Sequence, residues 1–378
     1  MSQRAQPITD LHPDPAEAAL VALLRELVDQ ERATVVVPPH AAVDGFWFGA
    51  GNAVVDPGDG AVWLVGRYRD SGDSRTGVLA GARGLELALF RSGDDGRSFV
   101  KVAAWSKADL SRLGGVTSIE GSALARRADG GWELFVALEK DEAYPKPVAA
   151  LQKPGTGVWS IDRLTGPRPD AVDAATQSPC LAGSEPEALH VKDPVLHREG
   201  SVTHLYASVH PASWASSNTA WATRDGDDAA FAVRDWQFAP RGPLWDVAVT
   251  RVTHRWPVPR VGRFADLPAR SVYLYDGAEC MRPLDENPMA AARPRGYSCE
   301  ELGGALWSPD DHPAALRRLS RWAPLFVSPH GTGCSRYLSL VRIGDELVAL
   351  WQQGQPDGSQ PLVAHRLPWA RVVALLGG

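Results

Sequence analysis

Five times along the chain a polar residue opens an apolar run of strand length. A turn follows within about ten residues, and a second, often aromatic run comes after it. The openers are Asn52, Glu120, Asp193, Asp246 and Arg336. The units read NAVVDPGDG then AVWLVGRYR; EGSALARRADGG then WELFVALEK; DPVLHREG then SVTHLYASV; DVAVTRV, a long insertion, then SVYLYDG; and RYLSLVRIGD then ELVALWQQ. This is one supersecondary unit repeated with an uneven period, because the connecting loops differ in length. An antiparallel sheet that cannot bury both faces alone must stack on its neighbours, and radial stacking gives a propeller. The expectation is an all-β, five-bladed β-propeller with blades at about 52–106, 118–162, 190–238, 245–324 and 334–366. The innermost strand of each blade lines the central channel, so the five openers are expected to converge at one mouth.

One segment carries a different period. From Pro15 to about Ala33 apolar residues recur at helical spacing (Ala18, Leu20, Leu23, Leu24, Leu27, Val28), which predicts a short N-terminal helix in an extension covering 1–33. Residues 34–378 form a single propeller domain in this reading. Thr34–Val37 and Pro361–Leu367 both read as strands, and pairing them in the last blade removes an open edge. The C-terminal WARVVALL is expected to pack on that closure. Ser92–Phe99 fits the pattern S-x-D-x-G-x-x-[FW], an Asp box. There the Asp accepts backbone N–H bonds across the turn, Gly supplies a positive φ and the aromatic ring plugs the blade. Degenerate echoes lie at Thr223–Asp227 before Trp236 and at Ser308–Asp311 before Trp322.

Composition narrows the function class. The 36 Gly and 30 Pro occur without low-complexity runs, as many tight turns require. The net charge of −6 comes with no basic stripe, which leaves nucleic-acid binding without support. No apolar run is long enough to span a membrane as a helix. The N-terminus lacks the basic-then-apolar form of a secretory signal, so a cytoplasmic protein is expected. Cys180, Cys280, Cys299 and Cys334 have no C-x-x-C spacing, which argues against a zinc site, and no metal or other cofactor is expected. Cys280 and Cys299 flank part of one insertion. Without an export signal the expectation is that they stay unpaired. Of the 14 Trp residues, Trp63, Trp132 and Trp351 lie in second strands and are expected to pack between blades. Trp47, Trp214 and Trp245, in loops or at strand entrances, are candidates either for stacking on a sugar ring or for packing.

Three of the five openers are acids. Carboxylates crowded at the mouth of a partly desolvated funnel have split pKa values, as paired acid and base chemistry needs. Gly121, after Glu120, leaves room for the close approach of another group. Pro194, after Asp193, removes a backbone donor at the channel edge. Asp276, Glu300 and Glu301 reach the mouth only if the long insertion of the fourth unit folds over it. Arg336 either clamps a substrate or pairs with Asp246 or Glu120.

Lys192-Asp193-Pro194 resembles the R-D-P element, and Ile119-Glu120-Gly121 the E-G segment, of the five-bladed β-propeller glycoside hydrolases, the superfamily of families 32, 43, 62, 68 and 117. Trp245–Arg251, Tyr275–Gly277 and Glu300–Gly303 are similar to segments of uncharacterised bacterial glycosyl hydrolase relatives. The resemblance covers about residues 40 to 370. It implies an exo-acting hydrolase of a furanoside or short oligosaccharide, with a small carbohydrate as its partner. Glu120 is then the general acid and Asp193 or Asp246 the base or nucleophile, with Asn52, Trp47, Trp214, Trp245, Asp276, Glu300, Glu301 and Arg336 around the substrate. Two departures stand out: Asn52 occupies a position where the family carries Asp, and Glu120 precedes the D-P element, reversing the family's order. The Asp box motivates a sialidase-like alternative, although an arginine-bearing first-blade motif is missing. A non-catalytic carbohydrate-binding propeller is the other alternative.

Overall fold

The computed structural model describes residues 14–70, 84–280 and 301–377. Five antiparallel sheets form the blades of a propeller, each running outward from the strand nearest the axis. Blade one starts with a divided inner strand, Trp47–Gly49 and Ala53–Val55, both halves pairing with Val62–Arg69, and continues through Glu86–Ser92 and Val100–Ser106. Blade two comprises Val116–Arg126, Trp132–Lys140, Val158–Gly166 and Asp173–Leu181. Blade three comprises His190–Glu199, Val202–His210, Asn218–Asp225 and Ala232–Ala239. Blade four comprises Val249–Pro257, Arg270–Ala278, Leu302–Pro309 and the two-residue Arg317–Arg318. Blade five comprises Ser335–Ile343, Glu346–Gln353 and Leu362–Pro368, and Thr34–Val37 pairs antiparallel with the last of these. The ring is therefore closed by strands from opposite ends of the chain.

The helix spans Pro15–Leu27, with Asp14 capping the Ala16 N–H at 2.8 Å and Leu20, Leu23, Leu24 and Leu27 buried. It ends well before Ala33. The Asp29 carboxylate accepts the N–H groups of Glu31 and Arg32 at 3.0 Å each, a local turn that competes with further helix. A second helix, Trp369–Leu375, shares one core cluster with the first and with Leu347, Val363 and Leu367 of the closing blade. Blade two extends beyond the expected 162 because its outer strand, Asp173–Leu181, is largely exposed and pairs irregularly, so its sequence carries little alternation.

Trp63, Trp132 and Trp351 are all at most 5% exposed, within core clusters between blades. At the Asp box, Asp94 accepts the N–H groups of Arg97 and Ser98 and the Ser98 hydroxyl, Gly96 has φ 72°, and Phe99 packs on the cluster shared by blades one and five. Those bonds hold the Asp94 carboxyl well below the usual carboxylate range. The echo at Thr223–Asp227 opens the outer hairpin of blade three. The echo before Trp322 ends differently: this indole is 64% exposed and plugs nothing. Cys280 is disulfide-bonded, against the expectation of unpaired cysteines; Cys299, the partner considered from the sequence, lies outside the described residues.

Candidate active site

Each inner strand breaks its register near the end from which it starts. The breaks fall between Gly49 and Ala53, Ile119 and Ser122, Lys192 and Val195, Val252 and His254, and Arg336 and Ser339. Such bulges re-aim side chains and bend the strand. Three of them hold a non-glycine residue at positive φ: Ala50 at 61°, Asp193 at 52° and Tyr337 at 53°. All three line one central cavity, together with Asn52, Ser122, Arg251 and Asp276. Backbone strain at matching positions of three blades, around one cavity, singles out the mouth as the candidate site.

Asp193 is 8% exposed and its two oxygens are treated differently. Oδ1 accepts the Gly121 N–H at 3.0 Å, whereas Oδ2 has no hydrogen-bond partner. A Cβ on residue 121 would meet that Oδ1 at 2.5 Å, so glycine there is required for the contact. The Lys192 ammonium lies 3.9 Å from Asp193 Oδ2 and 3.6 Å from Glu120 Oε2, so those two oxygens are separated by no more than the sum of these distances. Burial pulls the Lys192 ammonium down, opposed by the two carboxylates. Glu120 also accepts from Arg67 Nη2 and from the Ser118 hydroxyl, both at 2.8 Å. Glu120 is thereby held between a guanidinium, an ammonium and a hydroxyl.

Asp276 is the contrasting carboxyl. It pairs across the sheet with Arg251, is 1% exposed, and accepts the Tyr337 N–H at 3.0 and 3.3 Å. Burial pushes it up to about 7, against the pull of Arg251 and Arg336, and the nearby charge of Asp193 adds to the rise. Glu301, just ahead of the third strand of blade four, sets its carboxylate against both Arg251 and Arg336. Arg67 and Arg336 both cover the Trp47 ring, at 4.3 and 5.0 Å from its centroid.

The remaining candidates separate clearly. Asn52 lines the cavity, but its amide exchanges two hydrogen bonds with the Leu124 backbone, at 3.0 and 2.8 Å, and so ties blade one to blade two. Trp47 is 4% exposed and serves as the floor under the arginines. Trp214, at φ 57°, packs in a group with Trp159, His190 and His210, with the Lys192 ammonium 5.5 Å above its ring. Trp245 is buried against Tyr275 and donates to the Ser320 carbonyl at 2.8 Å. Asp246 precedes its inner strand by three residues and is fully buried. It binds Arg318 Nε at 2.8 Å and the Tyr275 hydroxyl at 2.9 Å, and it does not line the cavity. Asp276 and Glu301 both reach the mouth through blade four itself. Glu300 lies outside the described residues.

Arg67, Arg251 and Tyr337 were not singled out from the sequence. A signal exists for the first: VWLVGRYR is an eight-residue strand buried throughout, and arginine inside such a run needs a buried partner.

No family model matches the chain, and no curated protein matches it. Solved structures do resemble it. The GH43_1 enzyme from Xanthomonas citri complexed with xylotriose superposes with a TM-score of 0.53 at 11% identity, covering 94% of this chain and 93% of that one. The α-L-arabinofuranosidase from Lactobacillus brevis gives 0.51 at 13% identity, covering 87% and 92%. The GH93 α-L-arabinofuranosidase of Fusarium graminearum, complexed with arabinobiose, gives 0.51 at 12%, covering 90% and 98%. The fold is thus the five-bladed propeller found among glycoside hydrolases.

Proposed function

We propose that the protein is an exo-acting glycoside hydrolase that cleaves a furanoside or short oligosaccharide at the propeller mouth. The observation that carries the reading is a pair of carboxyls on one cavity wall in opposite settings. Asp276 is buried and keeps its proton up to about pH 7, as a general acid must. Asp193 is hydrogen-bonded by Gly121, faces Lys192 and holds one oxygen open. In the proposed step the Asp276 proton passes to the glycosidic oxygen as the bond to the anomeric carbon breaks. Asp193 either takes a proton from the attacking water or attacks the carbon itself. A carboxyl separation of ~5 Å goes with retention and ~6.5–9.5 Å with inversion. Lys192 and Arg67 fix Glu120, which here tunes the charge at the mouth. Xylotriose and arabinobiose in the neighbours' structures support pentose-based glycans as first substrates to try.

The test is turnover on a panel of aryl arabinofuranosides and xylosides and of short arabino- and xylo-oligosaccharides, with NMR of the first anomer released. Asp193→Asn and Asp276→Asn variants are run beside the wild type. Turnover lost in both variants supports the hydrolase. Glycan affinity with no turnover, unchanged by either substitution, replaces it with a carbohydrate-binding propeller.

A further inference from the structure

The two-carboxyl step leaves the N-terminal extension without a role, yet the extension reaches the mouth. At its start the Pro15 carbonyl accepts from Arg263 Nη1 at 3.1 Å, and Arg263 lies in the loop after the inner strand of blade four, at the end away from the mouth. Glu17 accepts from the Trp307 indole of blade four at 3.0 Å. The helix Pro15–Leu27 has 13 residues and so a length of about 20 Å. Its buried leucines share one core cluster with Trp256 and Leu274 of blade four and with Leu338 and Trp351 of blade five. The helix is a strut along these two blades, running from the far end toward the mouth.

Beyond the helix, the turn built on Asp29 brings Gln30 onto blade five. The Gln30 amide donates to the Ser335 hydroxyl at 3.0 Å, and its Oε1 accepts from the Trp351 indole at 3.2 Å and from the Gln353 amide at 2.9 Å. The Gln30 backbone carbonyl accepts from the same Gln353 amide at 2.7 Å. Ser335 and Gln353 are paired across the sheet, and they, like Trp351, are buried. Just past this pair the register breaks after Arg336, and Tyr337 stands at φ 53°. A non-glycine residue stays in the left-handed region only where its surroundings hold it there. Tyr337 is also the residue whose N–H binds the Asp276 carboxyl, at 3.0 and 3.3 Å. Gln30 therefore clamps the strand next to the strained turn that holds the acid.

We propose that Gln30 is a positioning residue for Asp276, acting through Ser335, Gln353 and the Tyr337 turn, so that the N-terminal extension is a working part of the site. This rests on the reading of Asp276 as general acid. Without the clamp the mouth end of Ser335–Ile343 loosens, Tyr337 relaxes out of the left-handed region, and water reaches Asp276. Burial is what keeps the proton on that carboxyl against the pull of Arg251 and Arg336, with Asp193 adding to the rise, so wetting it weakens its hold on the proton. Gln30 carries no charge at any pH. A change in Asp276 on its removal therefore comes from geometry and not from a lost charge.

The test is a carbon NMR pH titration of the aspartate carboxyls in the full chain, the Asp276 signal being the one lost in Asp276→Asn. Wild type, Gln30→Leu and Leu23→Ala are compared. Leu23 is a fully buried residue of the helix, and its truncation weakens the strut while leaving the Gln30 bonds in place. The expected result is an Asp276 midpoint lower by about half a pH unit or more in Gln30→Leu. Leu23→Ala should melt at lower temperature and titrate as the wild type does. Should Gln30→Leu fail to fold, Ser335→Ala removes the other half of the bond and should displace the midpoint in the same direction. A midpoint that stays or rises when the bond is removed, or that falls as far in Leu23→Ala, overturns the proposal. On an aryl glycoside that the wild type turns over, Gln30→Leu should lower kcat about tenfold with KM held within about twofold. The titration needs no substrate, so the two readings fail separately. A chain that cleaves nothing while Asp276 follows Gln30 loses only the hydrolase, and one that cleaves glycosides with Asp276 indifferent to Gln30 loses only this inference.

Discussion

Two clusters of buried charge lie at opposite ends of the propeller, and they are built on different principles. At the end away from the mouth, the hairpins of blades two and three bring Glu133, Arg163, Arg198, Arg224 and Asp227 together. Glu133 pairs with Arg224. Arg224 and Arg163 both donate to the Asp227 carbonyl, at 2.8 and 2.7 Å, and the Asp227 carboxylate accepts from Arg198 and the Ala128 N–H. Positive φ in these turns falls on Gly130 and Gly226, where it costs little. At the mouth, positive φ falls on Ala50, Asp193 and Tyr337, while unpartnered buried polar atoms occur at both ends, Asp193 Oδ2 and Arg67 Nε at the mouth and Glu133 Oε2 and Arg224 Nε at the other. One cluster spends its charges on holding two blades together. The other places backbone strain on non-glycine residues around a cavity, and that difference, rather than burial, charge or unpartnered atoms, distinguishes the two ends.

Exchanging a single oxygen for nitrogen at each end sharpens the contrast most. Asp193→Asn should lower kcat by about 10²–10⁴, the usual share of a positioned acid or base, with little change in melting temperature. Glu133→Gln should do the reverse: leaving Arg224 charged and unpaired costs about 3–5 kcal/mol of stability, while kcat per folded molecule holds. Denaturant melts beside active-site-titrated kinetics read both, and equal stability losses at the two ends would abolish the distinction.

Asp276 connects chemistry to pH. Its carboxyl ordinarily titrates at 3.8 and does so at about 7 in the fold, so the folded protein keeps a proton that the unfolded chain releases in between. Stability therefore falls as pH rises from about 4 to about 7 and levels off above that window. Activity that needs the proton declines as pH rises through about 7. Asp276→Asn should lose kcat and the alkaline limb together, and its melting temperature should gain on the wild type across the same window. A pH-independent difference in melting temperature would show that Asp276 titrates elsewhere.

Smaller changes probe the packing that holds the pair. Gly121→Ala pushes a methyl group against Asp193, at 2.5 Å from Oδ1 and 2.9 Å from Cα, and a displacement of that size should cost about 10² in kcat/KM. Trp322→Ala should shift stability by no more than about 0.5 kcal/mol, since the indole is 64% exposed. A larger loss would mean that the second Asp-box echo plugs its blade after all.

Much of this was legible in the chain. Alternation of period two, the turns between runs, the spacing of the Asp box and the closing pair Thr34–Val37 with Leu362–Pro368 all depend on neighbours in sequence or on the need to cover an edge. Glu120-Gly121 and Lys192-Asp193-Pro194 meet at the mouth as expected, and the room that glycine was expected to leave is taken by Asp193 itself. Asp246 shows where that kind of reasoning stops. In sequence it matches Asp193 as a strand opener, yet it sits three residues too early and turns to Arg318 and Tyr275.

What the sequence by itself determined is the repeated unit, its five-fold count, the closure and the presence of acids near strand starts, because each is encoded in short-range periodicity. Only the tertiary structure decided which acids share the cavity, that Asp276 is the carboxyl pushed toward neutral pH, and that arginines from blades one and five meet over Trp47. Those outcomes depend on one-residue bulges and on cross-blade distances of a few ångströms, and loops of unequal length scatter the residues concerned across the chain with no fixed spacing to reveal them.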